Sequence, residues 1–175
     1  MMSYTLLEFD SLSSTSDFLK ENQSYFPHMT FIRANHQTQG RGQFDRMWQS
    51  EANQNILCSI LLKEINISKA SLIKLWIMES VIGFLQNLGV NAMFKEPNDI
   101  YVGDDKLCGI LIETKSTENE FDYVVIGIGL NVNQVLFERA NATSLKKILN
   151  QDFEISELFK VFLNYMVKAY ERYDL

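Results

Sequence analysis

The sequence contains few of the residues that interrupt a fold. Among 175 residues there are two prolines and eight glycines, so we expect no long flexible linker. No apolar stretch is long enough to cross a bilayer, and the first residues lack the basic and apolar segments of a secretion signal. We therefore expect a single domain over residues 1–175, with a real core, no membrane span and a cytoplasmic location.

Cysteine, histidine and positive charge are also scarce. Cys58 and Cys108 lie in apolar runs without zinc-site spacing, so two buried, reduced thiols are expected. His28 and His36 fit no pattern of nucleophilic catalysis. Acidic residues outnumber basic ones 22 to 16, giving a net charge of -6, which argues against a nucleic-acid-binding protein.

Hydrophobic periodicity predicts an α+β fold. Strands are expected at 4–9, 29–34, 55–63, 91–97, 99–102, 106–114 and 121–133, and helices at 14–22, 68–89, 144–149 and 155–173. Ser14 and Asp17 resemble a capping box at the first helix. In the second helix, Leu72, Leu75 and Trp76 are predicted to belong to a wide buried face. The short connections between strands after 91 indicate a mixed, mainly antiparallel sheet with helices packed against it.

A polar loop at 36–48 could bind an anion. Gly40 and Gly42 allow the backbone to approach a ligand closely. Arg41 and Arg46 carry planar, charged guanidinium groups, and Trp48 offers a flat ring for stacking. The alternative is a mobile surface loop with solvated arginines.

Two features of the strands at 99–114 and 121–133 have both functional and structural interpretations. Asp99, after Pro97, could hold Mg²⁺, although Pro-Asn-Asp is also a common turn. Gly127 and Gly129 interrupt a buried strand, as expected either for close ligand approach or for a tight sheet crossing.

Lys106 is predicted to begin the strand face that carries Cys108, Ile110 and Ile112. Its ammonium could neutralise an anion in a dry pocket, or it could reach back to water. Gly109 in mid-strand favours close approach by a ligand or by another backbone segment.

Taken together and in this order, the motifs resemble the catalytic domain of biotin protein ligases. The matching segments are "STS" at 14–16, "QTQGRGQFDRMW" at 37–48, "KEPND" at 95–99, "KLCGIL" at 106–111 and "GIGLN" at 127–131. The resemblance implies a class II aminoacyl-tRNA synthetase-like fold in a short form, with neither an N-terminal helix-turn-helix nor a C-terminal barrel. It also implies ATP, Mg²⁺ and biotin as reactants and a biotin carboxyl carrier protein of acetyl-CoA carboxylase as partner, and it allows a homodimer, as in some relatives.

The resemblance also implies residue roles. Lys106 and Arg41 would be catalytic, and Asp99 would bind the metal. Biotin would be bound by Ser14, Thr15, Ser16, Gln37, Gly40, Arg41, Gly42, Gln43, Lys106, Gly109, Gly127 and Gly129. ATP would be bound by Arg46, Trp48, Lys95, Asn98, Asp99 and Asn131.

This sequence departs from the family pattern at several positions. Asp45 stands where a small residue is usual, Gln43 where an arginine is frequent, and Glu96 where a tryptophan is usual. Asp45 and Glu96 are expected to lower activity or change loop closure. The alternatives are a lipoate or octanoyl transferase of the same fold, a binding protein for biotin or its carrier with weak catalysis, and a purely structural domain.

Overall fold

The computed structural model describes residues 3–44, 46–138, 141–173 and 175. Its strands are β1 (Thr5–Leu12), β2 (Thr30–Gln37), β3 (Asn55–Leu62), β4 (Ile65–Asn66), β5 (Met93–Lys95), β6 (Asp99–Val102), β7 (Asp105–Ser116) and β8 (Glu120–Asn131). Its helices are α1 (Thr15–Asn22), α2 (Ala70–Asn87), α3 (Leu145–Leu149) and α4 (Ile155–Tyr170). The two-residue strand β4 is the one strand in this set that periodicity did not predict.

These strands form one mixed sheet in the order β1-β2-β3-β8-β7-β6-β5, with β4 paired to β8. β1 and β2 are parallel, and the other pairs are antiparallel. The predicted mixed, mainly antiparallel sheet is therefore confirmed. The parallel pair requires a crossover, and α1 supplies it between β1 and β2.

Helices α2 and α4 cover one face of the sheet and bury the main core. α4 presents the predicted apolar side, with Phe159, Phe162 and Met166 almost inaccessible to water. In α2, Trp76 is fully buried, but Leu75 is 49% exposed and Ile73 is buried in its place. The prediction for Leu75 was wrong because helix α4 covers a narrower stripe of α2 than the many apolar residues of α2 suggested.

The opposite face is covered only in part. Helix α1 seals it at Leu19, which packs with Ile32, Leu61 and Val125. The helix begins as predicted, since the Ser14 hydroxyl accepts a hydrogen bond from the Asp17 backbone N–H at 3.2 Å. Beyond α1, the sheet floor is lined by glycines instead of large side chains, which leaves room for a cavity.

A β-bulge corrects the predicted direction of Lys106. Ile100 pairs with Cys108 and Tyr101 pairs with Lys106, so β7 carries one extra residue, Leu107, between these pairs. The bulge reverses the alternation, and Lys106 therefore lies on the face of Gly109, not on that of Cys108. Only a register shift of this kind allows Lys106 to reach the cavity on the glycine side.

Among the described residues, no helix is long and apolar enough to cross a membrane.

Candidate active site

The cavity on the glycine side encloses about 160 Å³. Its walls come from the first turn of α1, the 37–48 loop, and the middle of β3, β6, β7 and β8. Most of the predicted biotin-binding residues line it: Ser14, Thr15, Ser16, Gln37, Arg41, Gly42, Gln43, Lys106, Gly109, Gly127 and Gly129. The fold thus brings together motifs that lie more than a hundred residues apart in the chain.

A chain of hydroxyl groups forms one wall of this cavity. Gln37 Oε1 accepts from the backbone N–H of Thr15 at 2.7 Å and from its hydroxyl at 2.9 Å. The hydroxyl of Ser59 lies 2.7 Å from that of Thr15 and 2.8 Å from that of Ser16. Sequence reasoning missed Ser59, although a polar residue inside the uniformly buried strand β3 was a signal. This wall offers several donors and acceptors to a polar ligand group.

The floor of the cavity is kept open by glycine. Gly109 and Gly129 face each other across β7 and β8, and the indole of Trp48 lies directly on them. A β-carbon added at Gly109 would be 2.7 Å from Trp48 Cζ3, and one added at Gly127 would be 2.6 Å from the Ser16 hydroxyl oxygen. Side chains at these positions would therefore push out the walls of the cavity.

Gly40 allows a close backbone approach where the loop returns toward the sheet. A β-carbon there would lie 3.1 Å from Gln37 Nε2 and would press against the carbonyl oxygen of Trp48. The backbone N–H of Trp48 donates to the Gly40 carbonyl at 2.9 Å. Gly40 thus permits the close backbone pairing that places Trp48 over the floor, although it is not among the residues that line the cavity.

Lys106 lies at the open end of the cavity. Its ammonium is 2.8 Å from Asp99 Oδ1 and 5.4 Å from the centre of the Trp48 ring. Its backbone is fixed on the other side, because Lys106 N–H donates to the Asn141 carbonyl and Lys106 C=O accepts from Thr143 N–H. The lysine is thus held in a partly dry position where a ligand anion could meet it.

The remaining loop residues lie at the rim. Arg41 contacts Asp17 at 3.5 Å and Glu113 at 3.2 Å through its two terminal nitrogens. Arg46 lines the cavity with an exposed side chain. Asp45, whose charge was expected to affect this loop, lies outside the described residues.

A second, larger groove of about 760 Å³ adjoins the cavity. Trp48 and Lys106 line both spaces and therefore stand at their junction. Asn131 lines the groove, and its amide donates to the Thr143 carbonyl at 3.0 Å. The rest of the groove wall, including Gln134, Phe137 and Glu138, was not predicted from the sequence, because these residues carry no periodic or motif signal.

Several predicted residues lie outside both spaces. Lys95 packs over the Tyr101 ring at 4.6 Å, and the Asn98 carbonyl accepts from Ile110 N–H at 2.9 Å. Neither residue is part of the wall of the cavity or the groove. Glu96, which replaces the usual tryptophan, is mostly exposed and pairs with Lys74 at 2.6 Å.

The two cysteines are free and buried, as predicted. Burial raises the pKa of the Cys58 thiol to about 12, and burial likewise raises the pKa of Cys108. A neutral thiol is a poor nucleophile, so Cys58 is not suited to covalent chemistry even though it borders the cavity.

Comparison with known proteins agrees with this geometry. Residues 8–131 match the biotin/lipoate A/B protein ligase family, and the chain belongs to that family. The bifunctional ligase/repressor BirA of Bacillus subtilis is 34% identical over 137 residues, which cover 77% of this chain and 42% of that protein. The biotin–[acetyl-CoA-carboxylase] ligase of Mycobacterium tuberculosis is 31% identical over 64% of this chain and 43% of its own length. The chain thus spans less than half the length of these relatives.

Solved structures show the same fold. The biotin protein ligase of Aquifex aeolicus, in complex with biotin and ATP, superposes with a TM-score of 0.81 at 27% identity, covering 96% of this chain and 71% of the other. A putative lipoate protein ligase of T. acidophilum, with bound lipoic acid, superposes with a TM-score of 0.66 at 12% identity, covering 97% of this chain and 87% of the other. The predicted class II synthetase-like fold is confirmed.

Proposed function

We propose that this chain is an ATP-dependent biotin protein ligase and that residues 1–175 act as one catalytic domain. In the first step, an oxygen of the biotin carboxylate attacks the α-phosphorus of ATP. The bond to the β-phosphate oxygen breaks, and biotinyl-5′-AMP and pyrophosphate form. In the second step, a lysine amine of a biotin carboxyl carrier protein attacks the acyl carbon, AMP leaves, and a proton is released.

The observation that carries this proposal is the pairing of the hydroxyl wall with Lys106 in one cavity. A ureido ring has N–H donors and a carbonyl acceptor, which the lining residues Thr15, Ser16 and Gln37 can match, with Ser59 holding the two hydroxyls from behind. The dithiolane ring of lipoate has neither, so it would gain no hydrogen bond from this wall, whose hydroxyl groups already bond one another. The wall therefore favours biotin over lipoate or octanoate.

The open end of the cavity suits the reacting anions. Lys106 lies between the cavity and the groove, so a carboxylate in one space and a phosphate in the other would both be near its ammonium. A fixed cation in a partly dry site stabilises the charge that grows on the phosphate in the transition state. Arg41 at the rim would close the site over these groups, and water would be excluded from the acyl adenylate.

We assign ATP to the groove, with its base near Trp48 and its phosphates toward Lys106 and Asn131. In the part of the chain that the structure describes, no three His, Cys, Asp or Glu side chains are grouped to hold a metal. Mg²⁺ is thus proposed to enter with ATP, since it is commonly held by one carboxylate together with phosphates and water. Asp99 is the carboxylate beside Lys106 that could contact it.

The carrier protein and the cytoplasmic location are proposals as well. The relative from Mycobacterium tuberculosis is named as a ligase that joins biotin to acetyl-CoA carboxylase, so the carrier subunit of that enzyme is the proposed acceptor. The free, buried thiols Cys58 and Cys108 are consistent with a reducing compartment.

ATP–pyrophosphate exchange, measured with biotin, lipoate or octanoate, tests the proposal. We expect exchange to depend on biotin alone. Lys106→Ala should reduce it about 10²-fold or more, the effect expected when a charge-stabilising donor is lost. Lys115→Ala is the matched control, because this lysine lies on the same strand and is 69% exposed, far along β7 from the cavity.

Three outcomes would contradict the proposal. Exchange driven by lipoate would assign the lipoate class, and biotin binding without exchange would leave a binding protein. Exchange unaffected by Lys106→Ala would remove the catalytic role of that residue. Transfer is checked separately by an avidin blot of a carrier protein incubated with the chain, ATP, Mg²⁺ and biotin.

A further inference from the structure

A group of four charged side chains lies beside the mouth of the cavity. Asp17 and Lys20 come from α1, Arg41 from the loop and Glu113 from β7, and we refer to them as the charge cluster. Lys20 Nζ lies 2.8 Å from Asp17 and 2.9 Å from Glu113. Arg41 contacts the same two carboxylates at 3.5 Å and 3.2 Å. Within this cluster, Arg41 alone lines the cavity.

The cluster fixes the direction of Arg41. Each of its terminal nitrogens faces a carboxylate, one on the helix above the cavity and one on the sheet below it. The guanidinium is therefore engaged with the protein itself. In this position Arg41 joins the loop to both walls of the cavity.

Arg41 also lies in the paired backbone of the loop. Gly42 N–H donates to the Arg46 carbonyl, Trp48 N–H donates to the Gly40 carbonyl, and Arg41 pairs with Met47 across the turn. Residues 40–44 and 46–48 thus form what we term the loop hairpin. Whatever fixes Arg41 also fixes Trp48, which covers the glycine floor.

Glu113 depends on its cationic partners. Its Oε1 atom accepts hydrogen bonds from both Lys20 and Arg41. Its Oε2 atom is buried without a hydrogen-bond partner among the described residues. A buried carboxylate oxygen with no donor is unfavourable, so the carboxylate needs the charges that face its other oxygen. Arg41, in contrast, is 43% exposed, and a pair of this exposure is weak enough to open and close.

We infer that Glu113, together with Asp17, is a positioning residue that holds the loop hairpin over the cavity through Arg41. This inference deepens the proposed function and rests on it, because the held ligand is biotin and its adenylate. Loss of the Glu113 charge loosens the hairpin, so the ligand leaves faster. The reacting atoms themselves are untouched, since Glu113 does not line the cavity.

The first test needs no ligand. Arg46 is exposed in the loop hairpin, and cleavage after it by trypsin, followed by mass spectrometry, reports hairpin opening. We expect Glu113→Gln and Arg41→Gln each to speed this cleavage about two- to fivefold, and the double variant to cleave no faster than Arg41→Gln alone. Glu118→Gln, in the exposed turn before β8, is the matched control and should cleave like the wild type.

The second test measures biotin dissociation by stopped-flow in the same proteins. We expect Glu113→Gln to raise the dissociation rate by a similar factor. Glu113→Asp keeps the charge, so its dissociation rate should lie between those of Glu113→Gln and the wild type. High salt should speed dissociation from the wild type more than from Glu113→Gln, because salt weakens the ion pairs that the variant lacks. If Glu113→Gln only disturbed the fold, salt would change the dissociation rate equally in the variant and in the wild type.

The outcomes separate this inference from the proposed function. Faster cleavage without any biotin binding would keep the positioning role and overturn the ligase assignment. Unchanged cleavage in Glu113→Gln, or additive effects in the double variant, would overturn the positioning role whatever the protein binds. If Glu113→Gln does not fold, the same comparison is made with Asp17→Asn, which removes the other carboxylate facing Arg41.

Discussion

Gly129→Ala tests whether the glycine floor and Trp48 together define the binding cavity. A β-carbon at position 129 would lie 2.7 Å from Trp48 Nε1 and 2.8 Å from Cζ2, and would press harder on Cε2. Ordinary carbon contacts lie at about 3.5–4.0 Å, so the indole would have to move by about 1 Å. Trp48 lines both the cavity and the groove, so a displaced ring would change both.

Overpacking of this kind typically costs about 1–3 kcal/mol. If that energy opposes the closed position of Trp48, biotin affinity falls about 5- to 150-fold, since about 1.4 kcal/mol corresponds to a factor of ten. Isothermal titration with biotin measures this change, and urea unfolding measures the accompanying loss of stability.

The matched control is Gly83→Ala in helix α2. A β-carbon there lies 3.7 Å from the Tyr165 ring, which is an ordinary contact. Because glycine inside a helix is about 0.5–1 kcal/mol less favourable than alanine, this variant should be slightly more stable and bind biotin normally. A folded Gly129→Ala protein that binds biotin as the wild type does would refute our account of the floor.

Two further predictions concern buried titratable groups, the ring of His28 and the two thiols. Burial lowers the pKa of His28, whose neutral ring is hydrogen-bonded to Lys63 and Tyr170. The neutral ring therefore stabilises the fold above the unfolded-state pKa of 6.5, and this stabilisation is lost as the pH falls through the lower pKa of the folded state. The stability gap between wild type and His28→Gln in urea should therefore shrink from pH 7.5 to 5.5, and a constant gap would contradict the assignment. Cys58 and Cys108 should resist a thiol reagent at pH 8 until urea unfolds the chain, and rapid labelling of the native protein would show that they are not buried as described.

Local pattern accounts for much of the fold. The apolar run at 55–63 identifies β3, and the spacing of large apolar residues at 155–173 identifies the buried side of α4. Ser14 caps α1 because its side chain needs only a neighbour three residues away. Each of these features depends on residues close together in the chain, and periodicity reports such relations well.

The candidate site was predicted from the order of its motifs, but its internal contacts were not. Ser59 completes the hydroxyl wall by meeting Thr15, 44 residues away. Arg41 meets Glu113 across 72 residues. Neither contact leaves a periodic signal in the sequence, since each depends on how α1, the loop and the sheet close together.

Lys106 shows most clearly where sequence stops and tertiary structure decides. Its residue type and its motif come from the sequence alone, and they mark it as a cation for an anionic ligand. The face on which it lies depends on one extra residue in β7, because a shift of one position turns a strand side chain to the other side of the sheet. Strand alternation predicts the wrong face, and only the pairing of β6 with β7 places the ammonium beside Asp99 at the mouth of the cavity.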